Sequence, residues 1–332
     1  MARFSFFKAS TTTLAVVAGL FGLLGEAAPL KRATASITAL SMTQIQSFRP
    51  FSFYAAMAYC EPSQILAKSC GQNCDANPTF EPVASGGDGI DVQFWYVGID
   101  PTLQSVIDYF LTICDRVPLL TDGDFFLTKL NSTLFPGISS SIEVHSGFAD
   151  EHAKTATSVL AAVKTALQKS GLKKVTMVGH SLGAALSLLE SVYLPLFLPS
   201  DITFKMIGYG LPRVRFVAFY IQWPPLISDW VDFEKVGNQA FASYIDSTVD
   251  LDHVNNKEDF VPTLPGIFLG FHHPQGEKHI QDDNSWLDCP GDDNSDSKCT
   301  TGDVSNIFEG ELSDHDGPYD IVTMGGSTCA SS

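Results

Sequence analysis

The apolar and polar positions of the chain follow two periods, one typical of strands and one typical of helices. Short runs rich in apolar and β-branched residues predict strands, and apolar residues three and four positions apart predict helices. We expect strands at 92–98, 105–107, 139–144, 173–178, 204–209 and 242–249, and helices at 44–60, 151–169 and 181–197. Strands that alternate with helices indicate an α/β fold, in which helices cover both faces of a mostly parallel sheet.

The first 27 residues have the layout of a secretory signal peptide. Two basic residues precede a short apolar run at 14–24, and small residues follow the run. The run is shorter than the ~20 residues of a membrane-spanning helix, and we expect no stable membrane span elsewhere. The dibasic pair Lys31-Arg32 predicts a short propeptide at 28–32. We therefore expect a secreted protein with a single domain over 33–332.

The charge balance of the chain narrows the classes of partner. The sequence has 20 basic and 37 acidic side chains, which gives a formal net charge of -17. Because such a surface repels phosphate groups, we expect no nucleic acid as a partner. No pair of histidines with the spacing H-x-x-x-H has a third ligand nearby, and we therefore expect no metal site.

Seven cysteines in a chain expected to be exported favour disulfide bonds. One pair flanks a short polar loop, one pair is separated by three residues, and a third pair stands near the two ends of the mature chain. The expected bridges are therefore Cys289–Cys299, Cys70–Cys74 and Cys60–Cys329, which leaves Cys114 free. Asn131 begins an N-glycosylation sequon, and this predicts a surface position for it.

The segment Gly179–Gly183 reads Gly-His-Ser-Leu-Gly and matches the Gly-x-Ser-x-Gly elbow, in which a serine stands on a sharp turn between a strand and a helix. The strand predicted at 173–178 ends directly before the segment, and the helix predicted at 181–197 begins within it. Glycines on either side let the strand and the helix cross closely. The arrangement predicts an α/β-hydrolase with Ser181 as its nucleophile, whereas a simple helix cap explains the serine alone.

A serine nucleophile needs a base to take its proton and an acid to orient that base. In this fold the acid follows the serine in the chain, and the base follows the acid. Asp259 stands in the loop that leaves the strand-like stretch 244–254, and it is the expected acid. The rival carboxylates are Asp246, Asp250 and Asp252, which we place within an alternating strand where acidic side chains face solvent.

Four histidines follow the expected acid, and His315 lies in a polar, turn-forming loop that suits a base. His272 and His273 are the alternatives, although an adjacent pair beside a proline is typical of a surface turn. We expect His180, inside the elbow, to pack beside the sheet without transferring protons. We expect His145 to cap a helix or to line the site.

These residues resemble class 3, fungal-type lipases over most of the mature chain. The similar stretches are 144–148, 179–183, 209–214, 256–265 and 314–319. The resemblance implies a lipase-type α/β-hydrolase that uses Ser181, Asp259 and His315 as its triad and needs no cofactor. It also implies that the substrate is a triacylglycerol at a lipid–water interface, while some relatives cleave feruloyl esters. Segment 115–130 corresponds to the mobile lid of the family.

The chain departs from the family pattern at the oxyanion hole. The elbow supplies one expected donor, the backbone N–H of Leu182. Family members take a second donor from a Gly-Thr or Gly-Ser loop after an early strand, but residues 108–115 contain no glycine. Thr112 is the nearest substitute, and the second donor stays unassigned. Because of this departure, three hypotheses stay open. The chain is a lipase, a feruloyl esterase, or a catalytically impaired relative that binds lipid or a partner.

The second departure is an insertion at 215–236, which we interpret as a translated intron. Its removal joins Val214 to Gly237 and restores the Pro-Arg-Val-Gly-Asn run of the family. The 22 residues correspond to 66 nucleotides, so the reading frame is kept. Valine stands at both 214 and 236, so deletion of 214–235 gives the same product. In that register the segment begins with a valine codon, which starts with GU, and ends with Lys235, whose codon AAG ends in AG, and these are the two intron boundary signals. Six aromatic residues crowd this segment, whereas surface loops are normally polar. A genuine aromatic flap over the site is the alternative.

Overall fold

The apolar runs of the sequence form a nine-stranded mixed sheet in the computed structural model. Its strands, in chain order and without the short pair that lies apart, are β1 (Thr38–Ala39), β2 (Glu81–Gly86), β3 (Trp95–Asp100), β4 (Ser105–Phe110), β7 (Lys174–His180), β8 (Thr203–Tyr209), β9 (Leu251–Asn256), β10 (Glu277–Ile280) and β11 (Trp286–Cys289). Their spatial order is β1-β11-β10-β9-β8-β7-β4-β3-β2. The five strands from β4 to β10 in this order are parallel, and antiparallel strands complete both edges. The separate pair is β5 (Leu127–Lys129) with β6 (Glu143–His145).

The structure describes residues 36–110, 127–213, 238–264, 272–304, 308–325 and 329. Several predictions fall outside this part of the chain. They are the signal peptide and propeptide, Thr112, Cys114, most of the lid segment 115–130, and the insertion 215–236. The described residues belong to one unit, Ala35–Ser332. Within them, no helix combines the length and the apolar character that crossing a bilayer requires.

Helices cover both faces of the sheet. They are α1 (Met42–Met57), α2 (Pro62–Leu66), α3 (Gln72–Asp75), α4 (Ser146–Ser170), α5 (Leu182–Tyr193), α6 (Gln239–Thr248) and α7 (Thr300–Asp303). Successive side chains of a strand point to opposite faces, so each strand contributes to two apolar layers. Val106 and Phe110 of β4 pack in the layer that contains α4 and α5. Ile107 and Tyr109 pack in the layer that contains α1.

The strand expected at 242–249 is wrong, because Gln239–Thr248 form helix α6 and Val249 is its C-cap. Alternation of apolar and polar residues suggested a strand, but the buried residues Phe241, Ala242 and Ile245 follow the helical spacing. The side chain of Asn238 accepts a hydrogen bond from the N–H of Phe241 and caps the helix. The next strand, β9, therefore begins only at Leu251.

Three disulfides join the pairs that the spacing of the cysteines suggested. They are Cys60–Cys329, Cys70–Cys74 and Cys289–Cys299. The first bridge closes a loop of 269 positions and fixes the segment after α1 to the end of the chain. The third bridge closes the acidic loop after β11.

Candidate active site

Ser181 stands between β7 and α5 in a strained backbone conformation. Its φ of 55° and ψ of -131° lie in a region that residues with a Cβ rarely occupy. The strand and the helix meet so closely that a Cβ on Gly179 would lie 2.4 Å from the Cα of Ala184. The N–H of Ser181 donates to the carbonyl of Tyr209 at 2.9 Å, which ties the turn to β8. The local sequence thus projects a serine side chain from the end of the strand.

Three loops bring Ser181, Asp259 and His315 together. The Nε2 atom of His315 lies 2.8 Å from the Oγ of Ser181, and its Nδ1 lies 2.8 Å from the Oδ2 of Asp259. A carboxylate only accepts hydrogen bonds, so Nδ1–H donates to Asp259 and Nε2 accepts from the serine hydroxyl. All three residues are buried. This arrangement can transfer the serine proton to an oriented imidazole.

The surrounding backbone holds the acid and the base in place. The Oδ1 of Asp259 accepts a hydrogen bond of 2.9 Å from the N–H of Val261. The side chain of Asn256, at the end of β9, donates to the carbonyl of Asp314 and links the acid loop to the base loop. Gly210 has φ +52°, and a Cβ at this position would lie 2.8 Å from the Cε1 of His315. Glycine is required there because the imidazole packs directly against the backbone.

The rival carboxylates have other partners. Asp246 lies on α6, not in a strand, and accepts from the N–H of Gln275. Asp250 and Asp252 form ion pairs with Lys205 at 3.3 and 2.7 Å. Each rival carboxylate is therefore engaged by a partner outside the triad.

The rival histidines are also engaged elsewhere. His272 contacts the Oδ2 of Asp293 at 3.0 Å. The ring of His273 is buried and stacks on that of His253 with 4.7 Å between centroids. Burial lowers the pKa of His273 to about 3, and the charge of Arg213 contributes to the same shift. A neutral, stacked ring in this position has a packing role.

His145 and His180 differ in their contacts. His145 caps α4, because its Nδ1 accepts a hydrogen bond from the N–H of Gly147. His180 is buried between the hydroxyl of Tyr59 and the carbonyl of His315. Burial, and to a smaller extent the charge of His315, lowers the pKa of His180 well below its ordinary value. The contact from His180 to the expected base was not anticipated from the sequence.

The oxyanion donors and the sequon are positioned as follows. Leu182 is the first residue of α5, and the first N–H groups of a helix have no partner within the helix. Its N–H is therefore available beside Ser181. The expected substitute for the second donor, Thr112, lies outside the described residues. Asn131 is exposed in a turn where its side chain accepts from the N–H of Thr133.

Comparison with known proteins relates the sequence to lipases. The family model "Lipase (class 3)" matches residues 115–222. A "secreted mono- and diacylglycerol lipase" of Malassezia globosa, MDL2, is 32% identical over 189 residues, which are 56% of this chain and 53% of the relative. A second, LIP2 of Malassezia restricta, is 25% identical over 60% of this chain and 56% of its own length. The matched part thus spans little more than half of these relatives.

Solved structures show the same fold. Lipase II from Rhizopus niveus superimposes with a TM-score of 0.69 at 23% identity, over 88% of this chain and 99% of its own. The triacylglyceride lipase of Rhizomucor miehei gives a TM-score of 0.68 at 23% identity, over 89% and 100%. The architecture is therefore that of an α/β-hydrolase of the fungal lipase type.

Proposed function

We propose that the chain is a secreted carboxylic ester hydrolase of the class 3 lipase family that acts as a triacylglycerol lipase, and its similarity to these lipases supports the proposal. The observation that carries the proposal is the pair of 2.8 Å contacts that connects Ser181, His315 and Asp259. The similarity to class 3 lipases supports the choice of ester substrates, and the names of the relatives, secreted lipases, support export. Triacylglycerols form a lipid–water interface, and we expect the enzyme to bind its substrate there.

In the proposed reaction, the Oγ of Ser181 attacks the ester carbonyl while the Nε2 of His315 takes the hydroxyl proton. The N–H of Leu182 donates to the oxyanion that forms. His315 then gives the proton to the leaving alcohol, and an acyl-enzyme remains. Water attacks the acyl carbon while the same Nε2 takes its proton. The bond between the acyl carbon and Oγ then breaks, Nε2 returns the proton to Oγ, and the fatty acid leaves. Asp259 orients the imidazole and stabilises its charged form in both steps. The reaction requires no cofactor.

The test compares the full chain with the Ser181→Ala variant on triolein, diolein, monoolein and methyl ferulate. We expect hydrolysis of the glycerides, with at least a 10³-fold loss of turnover in the variant. A fluorophosphonate probe should label the full chain and not the variant. Preferred hydrolysis of methyl ferulate would favour a feruloyl esterase. If the folded full chain is not labelled by the probe and hydrolyses none of these esters, the result would favour a catalytically inactive relative that binds lipid.

The assignment of the acid has its own test. Asp259→Asn keeps the shape of the side chain but loses the charge that stabilises the imidazolium, and we expect kcat to fall about 10³- to 10⁴-fold. Asp250→Asn is the matched control, because this carboxylate is exposed and pairs with Lys205 at the surface. A normal kcat in Asp259→Asn would remove Asp259 from the triad.

A further inference from the structure

The carbonyl group of His315 accepts two hydrogen bonds from buried side chains. The Nε2 of His180 lies 2.8 Å from this oxygen, and the hydroxyl of Tyr319 lies 2.9 Å from it. The ring centroid of His180 is 4.6 Å from that of His315. The main chain of the proposed base is therefore held from the side of the sheet as well as by its own loop.

The contacts of His180 define which of its nitrogens carries the proton. A carbonyl oxygen cannot donate, so Nε2 must carry the hydrogen that points at His315. Burial keeps the ring neutral, so its Nδ1 is an acceptor. The hydroxyl of Tyr59, 2.6 Å away, then donates to Nδ1. A continuous chain of donors runs from Tyr59 through His180 to the backbone of His315.

The neutral state of His180 also has an electrostatic consequence. During the proposed reaction the imidazole of His315 becomes positively charged, with the ring of His180 in contact with it. A second positive charge at this distance would oppose that step, whereas a neutral donor ring holds the base without opposing it. The donor from Tyr59 removes the free lone pair at which His180 would take up a proton.

We propose that His180 and Tyr59 are positioning residues, which orient the imidazole of His315 through its main-chain carbonyl. This inference rests on the proposed function. Tyr59 precedes Cys60, whose bridge to Cys329 fixes the start of the donor chain to the end of the polypeptide. The donor chain therefore extends the triad to a covalently fixed point outside the sheet.

The experiment measures kcat and KM on a soluble short-chain ester for His180→Leu, His180→Gln and Tyr59→Phe. A displaced base costs turnover and not binding, so His180→Leu should lower kcat about 10- to 100-fold with KM changed by less than about twofold. The amide of His180→Gln can donate at the position of Nε2, and should restore at least about fivefold of the loss. His272→Gln is the control, because His272 contacts Asp293 in a different loop.

A double-mutant cycle separates positioning from packing. Tyr59→Phe should lower kcat about 3- to 10-fold alone, and it should have no further effect in His180→Leu, because the two residues form one chain. Tyr59→Phe keeps the aromatic ring and removes only the hydroxyl group. If His180→Leu does not fold, the cycle is measured with His180→Gln in its place. Normal kcat in folded His180→Leu, or additive losses, would overturn the inference while leaving the proposed function intact. A wild-type chain without Ser181-dependent hydrolysis would instead overturn the proposed function.

Discussion

Asp108 is a buried carboxyl group, and neither of its oxygens has a hydrogen-bond partner among the residues that the structure describes. It stands on β4 between Val106 and Phe110, so its side chain enters the apolar layer beside α4 and α5. Burial raises the pKa of Asp108 well above its ordinary value, and the charge of Glu190 raises it further. The N–H of Tyr109 opposes this rise without completing a bond to the carboxylate. An unpaired carboxyl group in such a layer destabilises the fold.

We expect Asp108→Val to stabilise the protein by about 1–3 kcal/mol, because it removes an unsatisfied polar group and fills the site with apolar atoms. Because the folded-state pKa of Asp108 is raised, its penalty is absent below the unfolded pKa and grows as the pH rises toward the folded value. The gain in Tm should therefore be larger at pH 7 than at pH 4. Thermal unfolding at the two pH values measures it.

The matched control is Asp100→Val. Asp100 is equally buried on β3, but it accepts from the hydroxyl of Tyr54 at 2.6 Å and from the N–H of Thr102 at 2.8 Å. Its replacement leaves those donors unpaired and should cost about 1–3 kcal/mol or more. A destabilised Asp108→Val would contradict the prediction and would indicate a partner for its carboxylate.

Single residues also show where sequence reasoning ends. Ser181, Asp259 and His315 could be selected because the order of the chain restricts the candidates for each role. Tyr59 could not, because it lies 121 positions from His180 and only the packing of α1 against the sheet brings the two together. The burial of Asp108 could not be predicted from the sequence either, since the free-energy cost of its carboxyl group depends on which apolar layer the side chain enters.

At the scale of elements, the elbow depends on the close crossing of β7 and α5. Gly179 pairs with Gly208 of the neighbouring strand, so the two glycines offer a direct comparison. A Cβ on Gly179 would meet backbone atoms of α5 at 2.4–2.6 Å. The three atoms nearest to a Cβ on Gly208 would be side-chain atoms, and the closest is the flexible end of Met206 at 3.3 Å.

We expect Gly179→Ala to cost about 3 kcal/mol or more, because backbone atoms cannot move aside without separating the helix from the strand. Gly208→Ala should cost no more than about 1 kcal/mol, since a methionine side chain can adapt. Urea unfolding of the two variants makes the comparison. Equal stability in both would show that the elbow tolerates a wider crossing than the structure indicates.

The predicted elements were most reliable where the period was long. The helix expected at 151–169 lies within α4, which ends at Ser170 before a glycine in the left-handed conformation, Gly171 with φ 70°. The ten residues of α6 gave too short a pattern to separate the helical period from alternation. The two edge strands of the sheet, β1 and β2, were not predicted, because one has only two residues and the other has no buried residue, so neither leaves a clear period.

At the scale of the whole molecule, the two flanks of segment 215–236 are well anchored. Arg213 is buried, and its Nε donates to the Oδ1 of Asp293 at 2.6 Å. Its N–H donates to the carbonyl of Leu264. Asn238, on the other side, caps α6. The match to the family model ends at residue 222, inside the segment. We continue to propose that the segment is a translated intron.

A variant that lacks 215–236 joins Val214 to Gly237 and leaves both anchors in place. We expect it to be secreted and to hydrolyse esters with kcat/KM at least equal to that of the full chain. Reverse-transcribed message should lack the corresponding 66 nucleotides, which are three for each of the 22 residues. The control is a full-length chain in which the sequence of 215–236 is scrambled. A functional aromatic flap depends on its sequence, so scrambling should lower activity if the segment is a flap. Activity in the full chain alone would support the flap.

The strained backbone of Ser181 lowers folding stability, whereas the serine at this position is needed for the proposed turnover. A residue held at φ 55° and ψ -131° costs about 1–3 kcal/mol, and glycine would occupy the same position without that cost. Directed evolution that selects this chain for heat resistance alone would therefore favour Ser181→Gly and would enrich inactive clones. Libraries built on this scaffold should fix position 181 and be scored for residual turnover after heating, so that the strained serine is kept.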